Sequence, residues 1–350
     1  MRVLYFGLYD PDYARNRVLI SGLKKNGVDV IELRRKPSRF NIIKLFFDYL
    51  RLKEKFDVMV VGFPGQEVMF LAKWLTLKPI IFDVFTSHYG GYILDRHKYS
   101  PNSIKARYYK FLDKWSCRLA NVVLLDTEAH ISFFVKEFGL DKAKFRRLFV
   151  GTDPGLFYPR EEFKEKRKIF LVHFHGYYIP LQGVKYIIRA AKILENYNVQ
   201  FNLIGQGQTY PDDFKLAQRI GAQNINFIEP VSRHILAEYI NKADVCLGIF
   251  GDTDKTELVI PNKIFEALAC KKPVITSDTV AVKELLKDGE NVILCKKADS
   301  EDLAASIIKL RDDEQLRDKI AENGYQLFQD KLTDKQIGKE LKNIIYAGLL

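Results

Sequence analysis

The chain has 350 residues, 47% of them hydrophobic and 28% charged, with a formal net charge of +11. That length asks for two domains of roughly 150–180 residues, and the composition excludes disordered, collagen-like and low-complexity classes. No 18 consecutive residues are apolar and no signal-length apolar stretch precedes Asp10, so neither a membrane span nor secretion is expected.

Short Val-, Ile- and Phe-rich runs predict strands at 2–6, 28–33, 57–62, 79–84 and 121–125. A second series follows at 168–174, 199–204, 225–228, 245–249, 273–276 and 292–295. Helical segments separate them. The clearest carries Val184, Ile187, Ile188, Ala191 and Leu194 on one face. This alternation predicts α/β architecture: two parallel, doubly wound sheets with helices on both faces. A ligand cleft is expected at the carboxyl ends of the strands. The Asp-Pro-Gly turn and the charge run within 151–167 place the boundary, giving domains at 1–155 and 165–330. A C-terminal helix at 331–350 is expected to return toward the first domain. Cys117, Cys246, Cys270 and Cys295 have neither metal-ligand nor redox spacing and are expected as buried small hydrophobes.

The charge is uneven. Residues 1–160 hold 28 Lys and Arg against 16 Asp and Glu, and residues 161–350 hold 27 against 28. A positive half-molecule attracts an anionic surface. Segment 34–56 opens with Arg34, Arg35, Lys36 and Arg39. It continues as a helix with Ile42, Ile43, Phe46, Phe47 and Leu50 assigned to one side. Such a helix suits an anionic membrane interface; a core-packed helix with a solvated basic edge is the alternative. No nucleic-acid motif accompanies the basic clusters, so nucleic acid is not an expected partner.

Chemistry concentrates in the second half. At 259–295, Pro261 suits the start of a helix whose free amides, with Asn262 and Lys263, would bind phosphate. Glu266, a turn further in, suits hydrogen bonds from vicinal sugar hydroxyls. An ordinary amphipathic helix would read the same way. Upstream, Gly176 and Gly183 flank a loop after a strand, and Gly205 and Gly207 form a Gly-Gln-Gly turn after the next. His173 and His175 lie at the strand end before Gly176. In the first half, Gly7, Tyr9 and Asp10 follow the first strand, with Arg15 and Arg17 on the next helix. The loop at 83–98 offers Asp83, His88, Asp95 and Arg96.

Taken in order, the strand–Gly loop–Gly183–helix, LIGQGQ, the stretch at 224–250 and IPNKIFEALACKKPVITSD resemble the C-terminal domain of family-4 retaining glycosyltransferases. The likeness covers about 169–311; FVGTDPGLFYP at 149–159 is similar to the family's interdomain segment. It implies the GT-B fold of two Rossmann-like domains facing a central cleft. It also implies transfer of a sugar from a nucleoside-diphosphate donor with retention, and no metal or other cofactor. Asp252-Thr253-Asp254 has the letters of a metal motif but reads as a loop. A glycan or lipid-linked acceptor, a role in cell-envelope polysaccharide or glycoconjugate synthesis, and a cytoplasmic location peripheral to the inner face of the membrane are the corresponding expectations.

The resemblance assigns donor contacts to Gly176, Tyr177, Gln182, Gly183, Gly205, Gly207, Val231, Pro261, Asn262, Lys263 and Glu266. Position offers Gly7, Tyr9, Asp10, Arg15, Asp95 and Arg96 as acceptor contacts, with solvated surface charge as the alternative for Arg15 and Arg17. The resemblance implies a His or acid on the transferred sugar, shared between Asp83 and His88, and Lys263 on the leaving phosphate. Three places depart from the family. Leu258 stands where the first of two glutamates is usual, with Glu257 one residue, or 100° of helix, away. Tyr177 and Gln182 replace the Arg and Lys of the diphosphate loop. Cys270-Lys271-Lys272 replaces a small-residue turn. An epimerase-like enzyme of the same fold, needing no acceptor, or a non-catalytic scaffold without nucleotide affinity are the alternatives.

Overall fold

The computed structural model describes residues 1–163 and 168–349; the end of the expected linker, 164–167, lies outside the described residues. The chain forms two compact units, Met1–Gly151 with Leu332–Leu350, and Thr152–Lys331.

The first unit runs β1 (Arg2–Gly7), α1 (Ala14–Lys25), β2 (Asp29–Arg34), α2 (Arg39–Leu50), β3 (Val58–Val61), α3 (Val68–Leu75), β4 (Ile80–Asp83), α4 (Ile104–Leu119), β5 (Val122–Leu125), α5 (Glu128–Phe138) and β6 (Phe145–Arg147). The second continues with β7 (Phe170–His175), α6 (Val184–Ile193), β8 (Val199–Ile204), α7 (Tyr210–Ile220), β9 (Ile225–Ile228), α8 (Arg233–Lys242), β10 (Val245–Leu247) and α9 (Asn262–Ala269). It ends with β11 (Val274–Ser277), α10 (Val280–Lys283), β12 (Ile293–Cys295), α11 (Ser300–Asp312) and α12 (Glu314–Leu327). The last helix, α13 (Asp334–Leu349), belongs to the first unit.

Each unit has one six-stranded parallel sheet, ordered β2-β1-β3-β4-β5-β6 and β12-β11-β10-β7-β8-β9. The central strands β3, β4 and β5 are buried residue by residue, because helices cover both faces; Asp83, at the end of β4, is their one polar side chain. On α6 the face predicted from periodicity is the buried one, through Val184, Ile187, Ile188 and Ala191. Helix starts follow side-chain capping: the hydroxyl of Ser103 accepts from Ala106 N before α4, and that of Thr127 from His130 N before α5. β6, three residues with two arginines, carries no hydrophobic signal; it forms because the edge of β5 is open to pairing. The four cysteines are buried and form no disulfide.

Helix α13 crosses α1 at Gly22 and Gly338, where a Cβ on either would overlap the opposite backbone. Asp334, fully buried, accepts from Ser21 Oγ and Lys25 Nζ, both at 2.6 Å. Helix α2 differs from its expected orientation. Leu45 is its buried anchor, with Ile42 and Tyr49 packed against the core, whereas Phe40, Ile43, Phe47 and Leu50 face outward.

Candidate active site

In the second unit β7 is flanked by β8 on one side and β10 on the other, so successive connections leave it in opposite directions. Ligands of open α/β sheets bind outside the carboxyl ends of strands at such a switch point. Three loops meet there and are stitched by backbone hydrogen bonds. Gly176 N donates to Ile204 O (3.0 Å), Tyr178 N to Gln206 O (2.8 Å), and Phe250 N to Gln182 O (3.1 Å). At Gly205, with φ +142°, a Cβ would sit 2.0 Å from Gly176 O, so only glycine lets the first two loops close.

Lys263 reaches into this knot from the first turn of α9, behind Pro261 as the N-cap. It is buried, and its Nζ donates to Gln182 Oε1 and lies 3.5 Å from Gly248 O and 4.0 Å from the Phe174 ring centroid. A Cβ on Gly176 would come 3.0 Å from this ammonium, so the loop and Lys263 pack closely there. Burial pushes the Lys263 pKa well below the lysine range, with Glu266 opposing the shift. The geometry explains one departure from the family. A lysine at 182 would bring a second ammonium against Lys263; Gln182 instead supplies the oxygen that holds it.

Behind Lys263 runs a histidine relay. His175 Nε2 is 2.7 Å from Glu266 Oε2, and His173 Nε2 is 2.9 Å from His175 Nδ1. The Glu266 carboxylate accepts from His175 Nε2; in the neutral tautomer of His175, Nδ1 is then the acceptor for His173 Nε2. Burial pushes the His173 pKa well down, keeping that ring neutral. His175, at the strand end before Gly176, is thus engaged by Glu266. Glu257 does not stand in for the glutamate missing at 258. Its carboxylate is taken by Lys297 at 2.6 Å and by Val280 N at 3.2 Å.

Of the other expected donor residues, Gly183 caps α6 and Gly207 pairs with Tyr178 in an isolated bridge. Tyr177 is exposed, Asn262 opens α9, and Val231 is half-buried before α8. Asp252 accepts from Lys185 Nζ and Tyr186 OH, both at 3.0 Å.

The first unit corrects several expectations. Arg15 and Asp83, expected to face an acceptor and the transferred sugar, are both fully buried and bound to each other, Nη2 to Oδ1 at 2.8 Å. The Arg15 guanidinium also donates to the carbonyls of Leu148 and Phe149 at 2.7 and 2.9 Å. This pair ties α1 and β4 to the end of the Rossmann-like fold of this unit. Tyr9 is buried too, packed edge-on against Tyr5. Asp95 is buried in the loop after β4. Gly7 ends β1, Asp10 is exposed, and Arg96 lies over Tyr92 at 5.5 Å. His88 keeps partial access, with Nε2 3.7 Å from Glu67 Oε2. Its loop is shaped by Asp113, which sequence reasoning missed. This buried carboxylate accepts from Ser87 Oγ (2.6 Å), His88 N (3.0 Å) and Tyr89 N (2.8 Å). Also missed was the buried Asp126–His130 pair, Oδ1 to Nδ1 at 2.8 Å, just past β5. Its signal was an Asp directly after a strand with His four residues on.

Comparison with known proteins bears first on the unit that holds Lys263 and Glu266. Residues 168–313 match the family model of the group 1 glycosyl transferases. An uncharacterised glycosyltransferase of Methanocaldococcus jannaschii is 30% identical over 158 residues, 43% of this chain and 41% of its own length. The D-inositol 3-phosphate glycosyltransferase of Thermomonospora curvata is 25% identical over 264 residues, 66% of this chain and 60% of its own. The chain thus spans less than two thirds of the length of either relative. Together these matches support the group 1 glycosyltransferase family. Among solved structures, Anabaena HepE in complex with UDP and glucose superposes with a TM-score of 0.78 at 15% identity, covering 99% of this chain and 100% of HepE. The sucrose-phosphate synthase of Thermosynechococcus elongatus gives 0.78 at 15%, covering 99% and 98%. The fold is GT-B.

Proposed function

We propose that the chain is a glycosyltransferase that moves a sugar from a nucleoside-diphosphate donor to a glycan or lipid-linked acceptor, with retention, in cell-envelope polysaccharide or glycoconjugate synthesis. The observation that carries this reading is the buried Lys263 ammonium beside the Gly176 loop at the β7 switch point, inside the segment that matches group 1 glycosyl transferases. A buried cation without a carboxylate in contact is costly and suits an anionic ligand. The HepE complexes with UDP make UDP-sugars the first donors to try.

In this reading Lys263 and the first amides of α9 stabilise the negative charge that grows on the leaving diphosphate, where a preorganised, water-poor site makes each donor count. Glu266 is held by His175 through Oε2, which leaves Oε1 for a ribose hydroxyl. His173 fixes the tautomer and orientation of His175. No metal is required in this scheme, since Lys263 supplies the positive charge. The acceptor is assigned to the first unit, with His88 as a partly accessible polar side chain of the loop after β4.

The test is a thermal-shift screen of nucleoside diphosphates, followed by acceptor-dependent release of the diphosphate. One diphosphate at 100 times its dissociation constant should stabilise by about 2.7 kcal/mol. Turnover of the sugar without an acceptor would favour the epimerase reading, and no shift with any diphosphate would refute the donor site.

A further inference from the structure

Three neighbouring helices of the first unit each carry a second apolar stripe on the side away from the core. On α2 it is Phe40, Ile43, Phe47 and Leu50; on α3 and just past it, Phe70, Trp74 and Leu77; on α4, Ile104, Tyr108, Phe111 and Trp115. The spacings are three, four and seven residues, so each set lies along one helix face. All are exposed, with Phe40 at 79%, Trp74 at 75% and Ile104 at 84%. Opposite faces of the same helices hold the core through Leu45, Met69, Ala72, Leu112 and Cys117.

The stripes join. Phe47 contacts Phe46 and Phe46 contacts Trp74, with centroids 5.2 and 5.7 Å apart. One turn along α3 from Trp74, Phe70 stacks on Phe111 at 6.1 Å and 11°, and Phe111 meets Trp115 at 6.1 Å. An aromatic ridge therefore crosses α2, α3 and α4. An exposed apolar surface of this extent on a folded unit marks an interaction site.

Charge decides the partner. The three helices contain eight Lys and Arg and two Asp. Both aspartates are engaged, Asp48 by Arg35 at 2.7 Å and Asp113 by the buried contacts of the His88 loop. Lys44, Lys73, Lys105, Arg107 and Arg118 are exposed among the apolar residues, with Arg118 stacked over Trp115 at 5.0 Å. The whole first unit has 30 Lys and Arg against 17 Asp and Glu. No helix among the described residues is long and apolar enough to cross a bilayer. We infer that the α2–α3–α4 ridge docks this unit on an anionic phospholipid surface, with Phe40, Phe47, Trp74 and Leu77 entering the interface and the lysines and arginines meeting the headgroups. A like-charged second copy would be repelled, and a protein partner would have to be strongly acidic. The inference concerns one face of one unit and does not depend on which sugar is transferred.

The chain contains two tryptophans, Trp74 and Trp115, and both lie on the ridge, so its own fluorescence reads the contact. The experiment mixes the full chain with vesicles of phosphatidylcholine alone or with phosphatidylglycerol, at low and high salt. The expected result is a blue shift, quenching by brominated acyl chains and co-sedimentation, all with phosphatidylglycerol and all weakened by salt. Trp115→Phe should keep the shift through Trp74. Lys73→Gln and Lys105→Gln should each weaken binding about fivefold, and Phe47→Ser should weaken binding and quenching while leaving the circular dichroism unchanged. Unshifted emission with anionic vesicles at low salt would overturn the inference. So would a dimer in vesicle-free buffer that buries the tryptophans and dissociates in Phe47→Ser.

Discussion

Replacing Lys263 by Met keeps an unbranched apolar stem out to Cε beside Phe174 but removes the ammonium. In the proposed donor site that ammonium makes a charge-assisted hydrogen bond to the diphosphate, worth about 1.5–3 kcal/mol. Affinity should then fall about 10- to 150-fold. At a concentration giving about 2.7 kcal/mol of stabilisation in the parent, the variant should retain about 0.3–1.4 kcal/mol. For a unit the size of Thr152–Lys331, the parent shift is about 5–11 °C and the residual about 1–6 °C. A second variant, Lys263→Met with Gln182→Met, removes the amide oxygen that the first leaves unpaired and controls for lost packing.

Calorimetry in two buffers of different ionisation heat supplies an independent reading. Burial holds the free Lys263 below the ordinary lysine range. A bound diphosphate restores its proton, so proton uptake should appear as pH rises through the depressed value and vanish in the variant. The same depression means that the unfolded chain holds more protons, so stability of the free protein rises with pH across that window. Lys263→Met should remove this slope. Undiminished diphosphate binding by the variant, with no change in proton uptake, would refute the assignment.

Two further outcomes follow from buried groups outside that cluster. Asp83→Asn leaves the Arg15 charge buried without its partner and should cost about 3–5 kcal/mol in denaturant unfolding; a loss of transfer activity at full stability would instead return Asp83 to the chemistry. Asp213, whose carboxylate accepts from Thr209 Oγ1 at 2.7 Å, is pushed by burial from 3.8 to about 6. The folded protein holds that proton longer than the unfolded chain, so stability falls as pH rises from about 4 to about 6. Asp213→Asn should flatten the slope and add about 1–2 kcal/mol at pH 7, after discounting for solvent screening; parallel melts at pH 4 and pH 7 decide it.

Eleven of the twelve strands among the described residues were legible: central ones such as β3, β4 and β5 because parallel strands buried on both faces are written in continuous apolar runs, and the edge strands β2 and β9 because they keep Val, Ile or Phe in short clusters. β6 was not, since an edge strand of Phe-Arg-Arg is defined by its neighbour's free hydrogen-bonding groups rather than by its own side chains. On α2 the periodic signal was present twice. Phe40, Ile43, Phe47 and Leu50 make as good a stripe as Ile42, Leu45 and Tyr49, and periodicity alone does not say which side meets a sheet.

By itself the sequence determined what depends on local chemistry and order along the chain: two doubly wound units, the glycine loops after β7 and β8, and Lys263 and Glu266 one turn apart at a helix start. Only the tertiary structure decided what depends on approach between distant segments. It spent Arg15 on Asp83, 68 residues away, where the one had been read as facing an acceptor and the other the transferred sugar. It handed Glu266 to His175, 91 residues away, and set Lys263 against Gln182, 81 residues away. A buried charge must find its partner wherever the fold brings one within about 3 Å, and linear spacing carries no record of that distance.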